Sequence, residues 1–192
     1  MKYDKDIEKA LSLCVSKDCS AREALGYVHA VVTDETISLT ATDGHIILHL
    51  SGIDFDNFQY YYTQQGLMIP EEKEFLLNVN PKITKFLPKF RKVDEDLFYP
   101  QWKQAIPDEF TSKIENYPYF DSDIYYTAGC VYKLLCGKKS VFTGPDIWAS
   151  KLSMSIKFFG TDWKSGFIGI MPINRLELDE VRLPVSSPFI RK

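Results

Sequence analysis

The feature that most constrains the fold is a helix-like stretch followed by three strand-like stretches, an order that occurs twice. The first copy starts at DIEKALSLCVSK, whose apolar residues recur at helical spacing, and runs through GYVHAVVT, TISLTAT and HIILHLS. The second starts at TAGCVYKLLCGKK and runs through KSVFTG, KLSMSIKFFG and SGFIGIMPI. Tight connections such as Asp43-Gly44 predict antiparallel strands. Two helix-plus-sheet halves indicate an α+β fold with internal pseudo-symmetry.

The segment between the two copies predicts one further strand and one further helix. EFLLNVNPKITKFLPKF indicates a strand over residues 75–79 and a helix from Asn80-Pro81 to Pro88. Residues 91–119 hold three prolines and mixed polarity, which predicts mostly irregular structure. We therefore expect one compressed domain over residues 1–176 and a C-terminal tail over residues 177–192. The residues of the middle helix expected to face the core are Ile83, Phe86 and Leu87.

Composition limits the location and the class of partner. The chain has 192 residues, of which 45% are hydrophobic, so it can bury a sizeable core. Its longest apolar runs fall far below the roughly 20 residues that span a bilayer, and MKYDKDIEK lacks a signal-peptide core, so we expect a cytoplasmic protein without membrane contact. A net charge of −3 disfavours an ordinary DNA-binding domain but allows basic residues on one face.

Neither a metal site nor an enzyme active site is predicted. The four cysteines match no zinc or CxxC redox spacing, and only three histidines accompany them, so we expect no metal and no cofactor. Asp43 and His45 would share one side of a strand, and a hydrolase would pair them with Ser38 or Cys14. Because the sequence holds no nucleophile elbow, P-loop or clearly placed carboxylate pair, we do not expect an enzyme.

Three segments, in the same order, resemble motifs of the bacterial β sliding clamps, the processivity subunit of DNA polymerase III. TATDGHIILHL, residues 40–50, resembles ATDGHRL; FYPQWKQAIP, residues 98–107, is similar to FPDYRRVLP; and GFIGIMPINRL, residues 166–176, is similar to YVVMPMRL. The resemblance implies the DNA-clamp, or processivity-factor, fold and a role in DNA replication. Because the chain is too short for the family's three domains, it is most similar to shortened clamp-like proteins of phages and prophages.

The resemblance also implies a peptide-binding pocket. In β clamps the three segments converge on a site that receives short peptides from DNA polymerase and other replication proteins. Ile46 and Gln104 stand where the family has arginines, which predicts weaker polar contacts with a peptide. A Thr-Asp-Gly-His sequence is also an ordinary hairpin turn, so a purely structural role for His45 is the alternative. By position, the pocket comprises Thr42, Gly44, His45, Ile46, Ile47, Pro100, Gln104, Ala105, Met171, Pro172 and Ile173.

Contact with double-stranded DNA is the second implication. Clamp helices present basic side chains to DNA phosphates without reading sequence, and a homo-oligomer closes the ring. Residues 82–92 are the densest basic stretch and hold no acid, although such a stretch also suits a solvated helix face. The alternative function is a clamp-like decoy or inhibitor that binds host replication proteins without encircling DNA. The predicted DNA-facing residues are Lys82, Lys85, Lys89, Arg91 and Lys92.

Overall fold

The protein is an α+β structure with one antiparallel sheet. The computed structural model describes residues 1–18, 22–80, 86–94, 97, 99–102, 112–113, 122–136, 147–149, 154–157 and 166–170. Within them lie the helices α1 (Lys5–Cys14), α2 (Phe55–Thr63) and α3 (Ser122–Cys136). The strands are β1 (Val28–Val32), β2 (Thr36–Thr42), β3 (Ile46–Asp54), β4 (Glu74–Leu77), β5 (Phe90–Lys92), β6 (Ser112–Lys113), β7 (Ile147–Ala149), β8 (Met154–Lys157) and β9 (Gly166–Ile170).

The described strands lie in the order β5-β4-β1-β2-β3-β9-β8-β7-β6, and each described pairing is antiparallel. The meander β1-β2-β3 follows α1, and the meander β7-β8-β9 follows α3. The last strands of the two meanders pair with each other, from Ile46 opposite Ile170 to Leu50 opposite Gly166. The centre of the sheet is therefore the junction between the two helix-plus-meander halves.

Helix α1 begins where the sequence supplies a cap and buries the face that its apolar spacing predicts. The Asp4 carboxylate accepts hydrogen bonds from the backbone N–H groups of Asp6 and Ile7, each at 2.9 Å, which satisfies two free donors of the first turn. Helix α3 packs against α1, so the two helices cover the sheet side by side. The predicted buried stripe of α1 is confirmed, since Ile7, Ala10, Leu11 and Cys14 are all buried.

The two faces of the sheet carry different side chains because neighbouring residues of a strand point to opposite sides. One side, the helix face, carries Ala30, Leu39 and Leu48, which are fully buried in the main core together with side chains of all three helices. The other side, the strap face, carries a row of residues that pair across β1, β2, β3 and β9. That row consists of His29, Thr40, His49 and Phe167.

A connecting segment covers part of the strap face. We call the described residues 97 and 99–102 the strap. Leu97 and Tyr99 are buried in a second, smaller apolar cluster with Tyr27 and Leu76, and Trp102 packs against it. This cluster lies on the side of the sheet opposite the helices, because Leu76 of β4 alternates with the core residues Phe75 and Leu77.

Helix α2 was not predicted from the sequence. Its N-cap is Asp54, whose carboxylate accepts a hydrogen bond from the Asn57 backbone N–H at 2.8 Å. Phe58 and Tyr62 enter the main core from this helix at a spacing of four residues. The aspartate cap followed by aromatics at helical spacing was the available signal, and the run of tyrosines, which also suits a strand, obscured it.

The prediction that Phe86 faces the core is wrong, since its side chain is 85% exposed. The chain forms a hairpin here: Leu77 of β4 pairs with Phe90 of β5, and the Asn78 backbone N–H donates to the Lys89 carbonyl at 2.8 Å. Phe86 lies in the connection and points to solvent, whereas Leu87 is half-buried against the smaller cluster.

Several predicted elements lie outside the described residues. These are Ile83 with most of the predicted middle helix, the strand KSVFTG and the tail over residues 177–192. Within the predicted irregular segment 91–119, the structure describes the end of β5 and the short strand β6. None of the helices in the described part of the chain combines the length and the apolar character needed to cross a bilayer.

Candidate functional site

The turn between β2 and β3 is held by its own side chains. Gly44 has a φ of +98°, a conformation that favours glycine over residues with a side chain. The Asp43 carboxylate accepts from the backbone N–H groups of His45 at 2.9 Å and Ile46 at 3.0 Å. The Thr42 hydroxyl oxygen accepts from the Gly44 N–H at 3.1 Å. The turn is therefore rigid, and His45 is exposed at its tip.

The predicted pocket residues of the turn are divided between the two faces of the sheet. Ile46 is buried in the main core and belongs to the helix face. Thr42 and Ile47 pair across β2 and β3 and, by strand alternation, belong to the strap face. The structure thus brings Thr42 and Ile47 together and places Ile46 on the other side of the sheet.

The strap reaches the predicted pocket through Tyr99. Its hydroxyl donates to the Thr40 carbonyl oxygen at 3.1 Å. Pro100, the predicted pocket residue of this segment, follows directly and is half-buried. The Trp102 backbone N–H donates to the Pro100 carbonyl at 2.7 Å, so the strap is a compact turn at this point. Pro100 therefore directly follows a residue whose side chain is anchored to β2.

Two histidines lie beneath the aromatic residues of the strap. The His29 ring stacks on Tyr99, with ring centroids 4.9 Å apart and planes 20° from parallel. The His49 ring lies 4.5 Å from the Trp102 ring and 5.4 Å from the Phe167 ring. Since the strap contributes both Tyr99 and Trp102, these contacts fix its position on the sheet.

The same histidines are anchored to the sheet by hydrogen bonds. His49 Nδ1 is 2.9 Å from the Thr40 hydroxyl oxygen, and His29 Nε2 is 2.6 Å from a Glu74 carboxylate oxygen. The sequence prediction did not include His29, His49, Tyr99 or Trp102 among site residues. The available signal was the cluster of aromatics in FYPQW together with single histidines, His29 and His49, in strand-like stretches.

A groove of about 400 Å³ lies on the helix face beside the same turn. The end of α1, the β2–β3 turn and the start of α3 form its walls. His45 and Ile46, both predicted pocket residues, line this groove together with Asp43. The turn therefore borders two surfaces, the strap face and this groove. The other lining residues are Leu13, Val15, Ser16, Lys17, Asp123, Ile124 and Thr127.

The remaining predicted pocket residues lie outside the described part of the chain. The described part of β9 ends at Ile170, which pairs with Ile46 at the first residue of β3. The described part of the third clamp-like segment therefore ends at the same end of the sheet as the Thr-Asp-Gly-His turn. The predicted pocket residues without a description are Gln104, Ala105, Met171, Pro172 and Ile173.

The described residues of the predicted DNA-facing set are all ion-paired within the chain. Lys89 Nζ is 2.8 Å from a Glu8 carboxylate oxygen, and Arg91 Nη1 is 2.6 Å from Glu23. Lys92 forms an ion pair with Glu72, which lowers the pKa of Glu72 and raises the pKa of Lys92. Their positive charges are therefore partly balanced by acids that the sequence spacing did not show. Lys82 and Lys85 lie outside the described residues.

Glu8 of α1 also lies at the centre of a partly buried network of tyrosine hydroxyl groups between α1 and α2. Its carboxylate accepts from the hydroxyl groups of Tyr61 at 2.9 Å and Tyr62 at 3.1 Å, and the Tyr62 hydroxyl is 2.7 Å from that of Tyr3. Burial, reinforced by the bond to and charge of Glu8, raises the pKa of Tyr61 to about 12. Burial likewise raises the pKa of Tyr3 and Tyr62. These phenols stay neutral and serve as donors to the carboxylate.

Exposed cations are present on the outer sides of α1 and α3. Lys5 and Lys9 on α1 and Lys133 on α3 are exposed, and within the described residues none of the three forms an ion pair. The same helices carry the exposed acids Asp6 and Asp123, so this surface is mixed in charge rather than strongly basic.

Comparison with known proteins adds no identification: no protein-family model matches the chain, and no curated protein matches it significantly. Among the described residues, no group of three or more His, Cys, Asp and Glu side chains is arranged to hold a metal ion. Interpretation of the site therefore depends on the fold and on the contacts described above.

Proposed function

We propose that this protein is a sliding-clamp-like accessory factor of DNA replication that binds short peptides of DNA polymerase or other replication proteins. The observation that supports it is that the described parts of the three clamp-like segments lie near one end of the sheet. Tyr99 joins the strap to Thr40, and Ile170 of β9 pairs with Ile46. Segments far apart in sequence have no structural need to share one turn, so their meeting supports a common binding site.

The arrangement of the halves supports the same proposal. A clamp-type fold needs pairs of helices on one side of a continuous antiparallel sheet, and both α1 and α3 contribute to the single core on the helix face. β3 and β9, the last strands of the two halves, pair antiparallel, and the strand order β1-β2-β3-β9-β8-β7 is the one that an approximate two-fold axis between them would produce. We propose that this is a DNA-clamp fold compressed into one chain of 192 residues, of the kind found in phages and prophages.

The strap-face surface is suited to weak peptide recognition. Ile47 and Pro100 are half-buried apolar residues beside the rigid turn, and each buried leucine- or phenylalanine-sized anchor of a peptide contributes about 1.5–3 kcal/mol. Ordering a short peptide offsets part of this gain, so we expect a dissociation constant of roughly micromolar size. Ile46, which stands where the family has arginine, faces the core and supplies no polar contact to such a peptide.

A decoy that binds replication proteins without encircling DNA is the second candidate. The observation that favours it is the ion pairing of Lys89, Arg91 and Lys92 with Glu8, Glu23 and Glu72, which reduces the positive field available to DNA phosphates. Light scattering with and without duplex DNA separates the two candidates. A ring-forming factor assembles into a homo-oligomer that retains DNA, whereas a decoy binds peptide and does not associate with DNA.

Titration of a fluorescently labelled clamp-binding peptide tests the proposal. We expect saturable binding to the native protein and at least roughly ten-fold weaker binding to Ile47→Lys, because a charge would be placed on the strap-face surface. Met68→Lys is the matched control, since Met68 is 90% exposed and lies in the connection between α2 and β4. Circular dichroism verifies folding of both variants. Absence of saturable binding, or equal weakening by both substitutions, would overturn the proposal.

A further inference from the structure

The pairing of β1 with β2 stops before β2 ends. The last pair is His29 with Thr40, whereas β2 continues to Thr42. Tyr27, just before β1, donates its backbone N–H to the Ala24 carbonyl at 3.1 Å within a 3-10 turn, so the chain leaves the β2 edge there. Among the described strands, none continues along that side of β2 beyond Thr40, toward the Thr-Asp-Gly-His turn.

Tyr99 anchors the strap to β2 at the point where the pairing with β1 ends. Its hydroxyl donates to the Thr40 carbonyl oxygen at 3.1 Å. Tyr99 is 4% exposed, and its ring is held by stacking on His29. Burial raises the pKa of Tyr99, so the hydroxyl keeps the proton that it donates.

We propose that Tyr99 is the positioning residue of the peptide site: its hydroxyl ties the strap to the end of β2 and thereby fixes Pro100 relative to Thr42 and Ile47. This inference rests on the proposed function and assigns a role to a residue outside the predicted pocket. The neighbouring contact of the His49 ring with the Trp102 ring holds the far end of the strap. The Tyr99 hydroxyl bonds the strap directly to the backbone of β2 near the turn.

A tyrosine-to-phenylalanine exchange isolates the hydroxyl, because the ring and its stacking on His29 are kept. We expect Tyr99→Phe to weaken peptide binding by about ten-fold, the effect of losing one buried hydrogen-bonded link. We also expect faster hydrogen exchange of the Thr42 amide in the free protein, because the strap loses its bond to β2 beside that amide.

Tyr62→Phe is the matched control, since this exchange also removes a buried hydroxyl with two partners, Tyr3 and Glu8, but on the helix face. We expect it to lower stability while leaving the peptide dissociation constant and Thr42 exchange unchanged. Peptide titration and hydrogen exchange are measured on the full chain of the native protein and both variants.

The possible outcomes separate this inference from the function on which it rests. If the native protein binds no peptide, the proposed function fails and the positioning role fails with it. If the native protein binds and Tyr99→Phe binds equally well, the positioning role alone is overturned. Equal weakening by Tyr99→Phe and Tyr62→Phe would also overturn it, because that result indicates a general loss of structure.

Discussion

Ile46 and Ile170 pair across β3 and β9, and both side chains are buried in the main core. Ile46 is the first residue of β3, directly after the hairpin turn of the first half. Ile170 is the last described residue of β9, the final strand of the second half. This pair is the first of five that join the two halves of the sheet, and it places the described end of the C-terminal clamp-like segment beside the Thr-Asp-Gly-His turn.

This junction should be a main source of stability. Ile168 is fully buried and pairs with Leu48, so Ile168→Ala leaves a cavity between the two halves. We expect the free energy of unfolding to fall by about 2–5 kcal/mol in urea titration. Met68→Ala, at a site 90% exposed, should change it by less than about 0.5 kcal/mol. A loss below about 1 kcal/mol for Ile168→Ala would contradict a core shared by both halves.

The Glu8 network gives a second prediction. Glu8→Gln removes the charge that pairs with Lys89. It also replaces one carboxylate oxygen with an amide NH₂ group, which cannot accept the hydrogen bond that the Tyr61 or Tyr62 hydroxyl donates. We expect a loss of about 1–3 kcal/mol in the free energy of unfolding. Glu71→Gln serves as the control because Glu71 is exposed. Equal effects of the two substitutions would show that the network does not stabilise the fold.

The same network predicts destabilisation at alkaline pH. An unfolded tyrosine loses its proton near pH 10, whereas the folded protein holds the Tyr61 proton to about 12. The stability that protonated Tyr61 contributes to the folded state is therefore unchanged below about pH 10. It is lost as pH rises further, since the unfolded state then binds fewer protons than the folded state. We expect the urea midpoint to fall above about pH 10, and to fall less steeply in Tyr62→Phe. A midpoint that is constant from pH 9 to 11 would contradict this prediction.

DNA binding, if the protein encircles DNA, should be non-specific and salt-sensitive, and should use the exposed helix cations. Replacing Lys5 and Lys9 by glutamine should reduce the salt-dependence slope of duplex affinity by roughly 2, about 0.9 for each lost phosphate contact. Arg91→Gln/Lys92→Gln removes the same number of charges, but Glu23 and Glu72 already balance those residues, so a smaller change is expected. Fluorescence anisotropy of labelled duplexes measures both slopes. Strong discrimination between sequences would contradict phosphate-only contact.

Local patterns were sufficient to predict most elements of the two halves, namely α1, α3, β1, β2, β3, β8 and β9, whereas β7 (Ile147–Ala149) was not predicted. The apolar spacing of Ile7, Ala10, Leu11 and Cys14 places the buried face of α1, and the alternation in β2 and β3 predicts the antiparallel meander. The class of fold follows from these patterns because each element buries one face or stripe against the same core.

The sequence was insufficient where a side chain's partner is distant along the chain. Lys89, Arg91 and Lys92 form a basic run in sequence, but their closest acidic partners, Glu8, Glu23 and Glu72, lie 20 to 81 positions away and become neighbours only in the fold. Phe86 was misplaced because helical spacing does not reveal that β4 and β5 form a hairpin. The role of Tyr99 depends on where β1 stops pairing, which no local pattern records.

Mapping peptide contacts by amide chemical-shift perturbation in the ¹⁵N-labelled protein tests the proposed peptide site most directly. We expect saturable shifts for the amides of Thr42, Ile47, His49 and Trp102, on the strap face and around Tyr99. Shifts confined to Leu13, Val15 and Thr127, which line the helix-face groove, would place the peptide on the wrong surface, and an unchanged spectrum at saturating peptide would contradict a clamp-like binding site altogether.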